Sequence, residues 1–362
     1  MRGNSTVLTS KILCPLSTVY RPIRMSWRRI ASALFPSAVI LLYHRVCRLE
    51  CDPQLLAVTP EHFGEHLEVL RKKFCLASLE ALLCRVSDSK IQRRMVIITF
   101  DDGYADNLLE AKPLLERFEV SATVFIAAHF VDRKQEFFWD ELERILLSPG
   151  RLPPRIRIVV ASGTFELDLQ EIADYPETEQ RRYRHWSVLE QKAPTPRQSL
   201  YRNFCCFVRD LTPCEREDAL SQLRAWASTP ADARDSHRTL TSPEVRQLQD
   251  GGLIEIGAHT LTHPVLSRLR ADEQRLEIAG SREKLEAIVS RPVHSFSYPF
   301  GSPDDYTEDT ARIVREAGFE CACSNFCRRV SSKTHRFHLP RMLVRDWNGR
   351  EFEERLTACF RA

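Results

Sequence analysis

The feature that most constrains the fold of this chain is a set of short apolar runs, most of them followed by a segment with helical spacing. Continuous rather than alternating apolar runs are typical of strands that are buried on both faces. The runs lie at residues 37–46, 95–100, 121–127, 253–259, 294–301, 321–326 and 338–344. Alternation of strands and helices predicts a parallel sheet with right-handed crossovers. About seven strand candidates favour an α/β fold of the distorted (β/α) barrel type over an open sheet.

One long stretch, residues 132–240, interrupts this alternation with polar, arginine-rich and proline-containing sequence. Amphipathic spacing within it favours helices. We therefore predict a barrel over residues 37–362 that contains a mostly helical insertion over 132–240, placed so that it covers the site.

The first 36 residues are predicted to lie outside the barrel. Residues 1–30 contain six basic and no acidic residues. Two interpretations stay open: a flexible basic arm, or a true translation start at Met25. No small-residue cleavage site follows the apolar run, so a signal peptide is not predicted. We expect a cytoplasmic protein, or one held at the cytoplasmic face by weak contact between the basic N-terminus and anionic membrane.

Charge and cysteine content indicate which partners to expect and whether the thiols are reduced. The formal net charge of +3 on 362 residues predicts no nucleic-acid partner. The twelve cysteines follow no small-domain disulfide framework, which favours reduced thiols. Cys321, Cys323 and Cys327 form a C-x-C-x3-C group without a matching second half, so we expect them to pack in the core rather than bind metal.

Two adjacent carboxylates are the first chemical signal. Asp101 and Asp102 directly follow the apolar run at 95–100, and Gly103 permits a tight turn after them. In a parallel barrel, catalytic groups stand at the carboxyl ends of strands. A helix cap would explain one of these residues. Two ionisable groups at the end of a buried strand indicate a cation or a shared proton.

A pair of histidines is the second signal. His259 ends the run at 253–259, and His263 follows it by four residues. At a spacing of four residues, they would project from one face of a helical turn. Nitrogen ligands at this spacing suit a tetrahedral metal. One carboxylate and two imidazoles leave coordination positions open for water and substrate, as in catalytic sites.

These motifs, in this order, resemble the polysaccharide deacetylase (NodB-homology) family. TFDDG at 99–103, HTLTHP at 259–264 and SYPFG at 297–301 carry the resemblance, and LLYHRV, TPEHF and ATVFI are similar to the bacterial branch. The similarity extends over roughly residues 37–130 and 240–345 and leaves out the insertion. The chain has no G-x-S-x-G, G-x-G-x-x-G or P-loop motif that would favour a serine hydrolase, a dehydrogenase or a kinase.

The resemblance implies a hydrolase of carbon–nitrogen bonds other than peptide bonds. It would remove an N-acyl group, expected to be acetyl, from an amino sugar of a glycan or glycolipid. The resemblance makes Asp101 the general base, and makes Asp102, His259 and His263 the ligands of a divalent metal, expected to be Zn²⁺. It places the wall of the acyl pocket at Tyr298, Pro299, Phe300 and Gly301. The backbone N–H of Phe300 would help to hold the oxyanion.

Two departures from the family pattern bear on catalysis. Ser297 stands where the family has an arginine that orients the catalytic aspartate. Arg341 lies near the place where the family has, in a late motif, the histidine that serves as its general acid. In one interpretation, Arg341 orients Asp101 and His44 acts as the general acid. His335 and His338 are the alternative acids.

The second interpretation is a site that binds metal and sugar with little catalysis. We favour the first, because Asp101 is retained. His44 would then reach the site, because a barrel brings the end of the first strand into the same mouth. A structural histidine bonded to the backbone is the competing explanation for His44.

Two further functions stay open. A deformylase or amidase acting on a lipid-linked sugar or a small amide would use the same chemistry. A catalytically weak glycan-binding module would bind sugar and release no acetate. The arginine-rich stretch at 181–185 would suit an anionic partner, although most charge runs of this length are simply solvated.

Overall fold

A nearly closed parallel sheet forms the centre of the computed structural model, which describes residues 36–88, 90–169 and 173–361. Its strands are β1 (Ala38–Tyr43), β2 (Met95–Phe100), β3 (Ala122–Ile126), β4 (Ile254–Ala258), β5 (Ser295–Ser297), β6 (Cys321–Cys323) and β7 (Arg341–Leu343). The order along the sheet is β6-β5-β4-β3-β2-β1-β7, and a two-residue strand, Cys75–Leu76, pairs with β2. The predicted α/β barrel of about seven strands is confirmed.

The gap between β6 and β7 is narrowed by the residues that lead into β7. The Ser324 N–H donates to the Leu339 carbonyl at 2.8 Å, and the Leu339 N–H donates to the Ala322 carbonyl at 2.9 Å. These bonds bring the two end strands together at one side of the barrel. The carboxyl ends of all seven strands therefore face a common mouth.

The strands are buried on both faces, which explains their continuous apolar sequence. All six residues of β1 and of β2 are buried. Ile40 and Ile97 pack with Phe125 inside the barrel. Val39 and Leu41, which alternate with them, pack in the cluster that includes the surrounding helices. Full burial of such side chains stabilises the fold by roughly 1.5–3 kcal/mol each.

Helices surround the sheet. They are α1 (Pro60–Lys73), α2 (Leu79–Ser87), α3 (Lys112–Phe118), α4 (Phe138–Leu146), α5 (Glu177–Tyr183), α6 (Pro196–Arg209), α7 (Pro213–Ala227), α8 (Ser242–Leu248), α9 (Ala271–Val289), α10 (Glu308–Glu316) and α11 (Gly349–Arg361). Ser78 caps α2, since its side chain accepts from the Ala81 N–H. A π-helical turn, Asn107–Ala111, precedes α3.

Residues 132–240 contain α4 to α7 and supply most of a second hydrophobic cluster, which includes Leu142, Tyr201 and Phe204. They also contain a β-hairpin, Arg155–Val160 with Gly163–Asp168, that the sequence analysis did not predict. Alternate residues of its first strand are buried, and the hairpin packs beside α7. The boundaries of the insertion stay a prediction.

Three further predictions concern the N-terminal segment, membrane-spanning helices and disulfides. Residues 1–35, which carry the basic arm and the alternative start at Met25, lie outside the described residues. Among the helices that are described, none combines the length and the apolar character needed to cross a bilayer. The described part of the chain contains no disulfide.

The C-x-C-x3-C group divides between core and surface. Cys321 and Cys323 are buried in β6, as core packing predicts. The prediction was wrong for Cys327, which is exposed and lies with its sulfur 3.5 Å from that of Cys359. Cys327 follows the strand by four residues, and the chain has left the core there.

Candidate active site

The adjacent aspartates lie in a tight turn at the end of β2. The Asp101 N–H donates to the Tyr43 carbonyl at 3.0 Å, which continues the pairing of β2 with β1. Asp102 and Gly103 then adopt left-handed backbone conformations, with φ of 77° and 83°. A Cβ at Gly103 would lie 3.0 Å from a methyl carbon of Ile126, so the turn has little space for a side chain. The sharp turn directs two consecutive carboxylates into the barrel mouth.

The histidines lie on a bent loop after β4 rather than on a helical turn. The predicted helical geometry was wrong because Thr260 and His263 have φ of 65° and 57°, left-handed conformations that a right-handed helical turn does not contain. The Thr260 hydroxyl accepts from the His263 N–H at 3.0 Å and stabilises the bend. The loop still brings the rings of His259 and His263 together, with centroids 4.8 Å apart.

This histidine loop is held from two sides. Glu277 of α9 accepts from the backbone N–H groups of Leu261 and Thr262, at 2.9 and 2.8 Å. Arg216 of α7, which is buried, donates to the carbonyl of His263 at 2.9 Å. Because α7 belongs to residues 132–240, the predicted insertion helps to hold a residue of the site.

Asp102, His259 and His263 lie with their ligand atoms within 4.8 Å of one another. Among the described residues, they form the only such group of three or more histidine, cysteine, aspartate or glutamate side chains. Nε2 of His259 lies 3.6 Å from Asp102 Oδ1, and Nε2 of His263 lies 3.4 Å from the same oxygen. His259 Nδ1 is 2.8 Å from the Ser297 carbonyl, which fits a tautomer that donates there and leaves Nε2 free as a ligand.

The cluster fits a divalent cation. Both carboxylate oxygens of Asp102 are buried and have no hydrogen-bond partner among the described residues. Burial and the neighbouring charge of Asp101 raise the pKa of Asp102 well above its ordinary range. Burial likewise lowers the pKa of His263 well below its ordinary value. A bound cation would supply the missing partner for the carboxylate and would use the neutral form of the imidazole.

Asp101 is held by Arg341, which is fully buried in β7. The two terminal guanidinium nitrogens of Arg341 each lie 2.7 Å from a different oxygen of Asp101. The Ser297 hydroxyl donates to the same carboxylate at 3.1 Å. Burial acts to raise the pKa of Asp101, but the opposing charge of Arg341 is the next largest influence, and the pKa falls to about 2. Asp101 is therefore ionised at neutral pH.

Three histidines were candidates for the general acid, and one of them lines the pocket. His44 follows β1, whose last residue is paired with the last residue of β2, so His44 lies level with Asp101. Burial lowers the pKa of His44 to about 3, against the charge of Asp101, which favours the protonated ring. His338 instead contacts Tyr306, and His335 packs against His338, away from the residues that line the pocket.

The predicted acyl-pocket residues divide in the structure. Phe300 lines the pocket, and its ring lies 4.7 Å from that of His263. Tyr298 does not line the pocket. It is buried, stacks on Tyr306 and donates to the Phe337 carbonyl, so its side chain supports the loop from below. The chain turns at Phe300, with φ of 61°, and this turn separates the two side chains.

Pro299 and Gly301 shape this loop through the backbone. The Gly301 N–H donates to the Pro299 carbonyl at 2.6 Å. A Cβ at Gly301 would lie 2.8 Å from the backbone nitrogen of Asn325, so only glycine fits this close approach. Neither residue is among those that line the pocket.

The pocket has a volume of about 190 Å³. Several residues that line the pocket were not predicted from the sequence. They are Gln54, Leu56, Trp139, Asn325, Leu343 and Arg345. Trp139 belongs to α4, and its ring lies 5.2 Å from that of His263. The aromatic run at the start of α4 was a usable sequence signal for Trp139. The others lie on loops or at a strand end, where no local motif identifies them.

Comparisons with known proteins agree with the fold. The family model described as polysaccharide deacetylase matches residues 88–153 and 225–322. The putative polysaccharide deacetylase YxkH of Bacillus subtilis (strain 168) is 30% identical over 108 residues. That match covers 29% of this chain and 37% of the relative, so the chain matches little more than a third of that protein's length.

Solved structures show the same fold at low sequence identity. The Streptococcus pyogenes deacetylase PplD in complex with acetate superposes with a TM-score of 0.54 at 15% identity, covering 88% of this chain and 97% of that one. IcaB from Ammonifex degensii superposes with a TM-score of 0.53 at 16% identity, covering 91% and 98%. At these identities the similarity establishes the fold alone.

Proposed function

We propose that this chain, which belongs to the polysaccharide deacetylase family, is a metal-dependent hydrolase that removes an N-acyl group, expected to be acetyl, from an amino sugar of a glycan or glycolipid. The observation that carries the proposal is the buried convergence of Asp102, His259 and His263 beside Asp101. Both of those carboxylates and both imidazoles line one pocket at the barrel mouth.

The residues of the metal site and of the base have separate tasks. Asp102, His259 and His263 would hold the metal, expected to be Zn²⁺. When bound, it supplies a Lewis acid that polarises the amide carbonyl and makes a water molecule more acidic. Asp101 accepts the proton of the attacking water. Arg341 keeps Asp101 ionised and fixes the direction of its lone pairs through two parallel hydrogen bonds.

The loop at Phe300 and the residue His44 serve the later part of the reaction. The backbone N–H of Phe300 is proposed to donate to the negative oxygen that develops on the acyl carbon. Trp139 and the Phe300 ring border the same space and exclude water from it. His44 is proposed to give a proton to the departing amine. Because burial lowers the pKa of His44 to about 3 in the free protein, the ring must take up this proton in the substrate complex.

Acetate release is the direct test of the proposal. The purified protein, loaded with Zn²⁺ or Co²⁺, is incubated with N-acetylglucosamine oligomers, and both acetate and formate are measured. We expect acetate release that stops on chelation and returns when metal is added. Formate from N-formyl sugars, without acetate, would indicate the deformylase. Glycan binding without either product, at full metal loading, would indicate the binding module. Failure to bind metal would rule out the Asp102–His259–His263 site.

The proposed role of His44 predicts a change in the pH profile. The pKa of His44 is low in the free protein. The pH profile of kcat is therefore the one to measure, because it reports the pKa values of the enzyme–substrate complex. His44→Ala should lower kcat by about 10²–10⁴-fold and alter the basic limb of the profile. His294→Ala, at an exposed position away from the pocket, is the control. If the rate and the basic limb are both unchanged, His44 is not the general acid.

A further inference from the structure

Arg345 places a positive charge in the wall of the active-site pocket. It follows β7 by two residues and lines the same pocket as Asp101 and His44. Its Nη1 donates to the carbonyls of Gln54, at 2.9 Å, and of Leu55. Within the described part of the chain, Nε and Nη2 of Arg345 make no hydrogen bond and none of its nitrogens forms an ion pair.

The buried arginines of this protein have either a carboxylate partner or backbone acceptors for both terminal nitrogens. Arg45 pairs with Asp106, and Arg341 pairs with Asp101. Arg197 has no carboxylate partner, but its two terminal nitrogens donate to three backbone carbonyls. Arg345 has neither arrangement. A guanidinium that is largely removed from water without a counterion is unfavourable, and an anion that enters beside it would be attracted.

Asp52, the carboxylate whose charge acts on Arg345, accepts its hydrogen bonds from other groups. Burial lowers the pKa of Arg345, and the charge of Asp52 acts in the opposite direction. The two oxygens of Asp52, however, accept from the backbone N–H groups of Leu56 and Ala57, at 3.1 and 2.8 Å. Asp52 therefore stabilises its own loop and leaves the donors of Arg345 available to a ligand.

We propose that Arg345 binds an anionic group of the substrate, a phosphate or a carboxylate, and thereby selects N-acyl amino sugars that carry such a group. The inference rests on the proposed function and names its substrate class. A guanidinium with two free donor nitrogens suits the paired oxygens of either anion. The amides of Gln54 and Asn325 line the same pocket and would face the neutral hydroxyls of the sugar.

The size of the pocket places the anion close to the acyl group. Its volume of about 190 Å³ is below the range of about 300–1,000 Å³ that is usual for drug-sized ligands. One sugar unit therefore contacts both Arg345 and the groups around Asp101. The anion is expected on the acylated ring itself, or on the atom that links this ring to the next group.

The test compares substrates that share one ring and differ in charge. They are methyl N-acetylglucosaminide, N-acetylglucosamine 1-phosphate, N-acetylglucosamine 6-phosphate and N-acetylmuramic acid. Acetate release by the zinc-loaded protein should show kcat/KM about 10- to 100-fold higher for at least one anionic sugar than for the neutral glycoside. The phosphate and carboxylate sugars distinguish the two sources of the anion.

Arg345→Gln keeps an amide donor on a shorter side chain and removes the charge. We expect it to lower kcat/KM for the preferred anionic sugar about 10- to 100-fold more than kcat/KM for the neutral glycoside, which abolishes the preference. Arg350→Gln, in the first turn of α11 and 89% exposed, is the matched control and should retain the preference. Equal loss on charged and neutral sugars would reduce Arg345 to a support for the backbone at Gln54 and Leu55, and would overturn the proposal. A wild-type protein without any preference would overturn it as well.

A binding measurement separates this inference from the proposed function. The same sugars are titrated into the zinc-loaded Asp101→Asn protein, with and without Arg345→Gln, by calorimetry. Tighter binding of an anionic sugar that depends on Arg345 supports the inference even if no acetate is released from any sugar. Equal affinity for charged and neutral sugars contradicts it, whatever the turnover. Absence of acetate alone would count against the proposed function and not against the anion site.

Discussion

Asp101→Asn is expected to lower acetate release by about 10²–10⁴-fold while zinc binding stays stoichiometric. Asparagine has nearly the same shape but cannot accept the proton of the attacking water. The metal ligands are separate side chains, so the metal site should survive. Turnover and bound zinc are measured on the same preparation, with Asp309→Asn, at an exposed position on α10, as the control.

The same variant should also lose stability. Arg341 would stay fully buried after losing the charge of its partner. Removing one member of a buried ion pair typically destabilises a protein by about 3–5 kcal/mol. Urea unfolding of the metal-free protein would measure this loss. Full activity in Asp101→Asn would remove Asp101 from the role of base, and zinc loss would mean that Asp101 also supports the metal site.

Asp101 and Asp102 show how neighbouring carboxylates come to serve different tasks. Arg341 and Ser297 satisfy the oxygens of Asp101, and its pKa falls to about 2. Asp102 has no such partner, and burial together with Asp101 raises its pKa. A pair of carboxylates whose environments separate their pKa values indicates separate roles. Under the proposed function, the first carboxylate acts as the base and the second holds the cation.

Local sequence predicted the convergence of these groups because it depends on one rule of parallel sheets. Asp101 and His259 each come directly after a buried strand, and the ends of parallel strands meet at one mouth. The path of the chain after the strand was harder to predict. The loop at His263 depends on two left-handed residues that are not glycine, and local propensity disfavours this conformation. Support from Glu277 and Arg216, both distant in sequence, stabilises it.

The remaining pocket residues illustrate where local patterns stop. Trp139 and Gln54 reach the mouth only because the insertion packs against the loop after β1, where the Gln54 amide donates to the Tyr201 hydroxyl at 2.8 Å. No periodicity encodes such a contact. The missed hairpin was different, because its alternating apolar residues Ile156, Ile158 and Val160 before a Ser-Gly turn are a usable signal.

Arg341→Lys is expected to lower turnover by about 10- to 100-fold and to destabilise the protein. A lysine supplies one point charge, whereas Arg341 forms two 2.7 Å bonds to Asp101 and further bonds to Thr99 and Ser324. Loss of a hydrogen bond to a charged group is worth roughly 1.5–3 kcal/mol, which corresponds to that factor in rate. Turnover and the free energy of unfolding are measured beside Arg355→Lys, whose side chain is 51% exposed on α11.

The pH dependence of stability separates the charge of Arg341 from its packing. In the folded protein the pKa of Asp101 is about 2, below the value of about 3.9 in an unfolded chain. A depressed folded pKa contributes stability that is present above about pH 4 and is lost as the pH falls toward 2. In metal-free protein, the stability difference between wild type and Arg341→Leu should therefore shrink on acidification. A difference that stays constant would mean that Arg341 supports the barrel by packing alone, and that its charge does not hold Asp101 ready as a base.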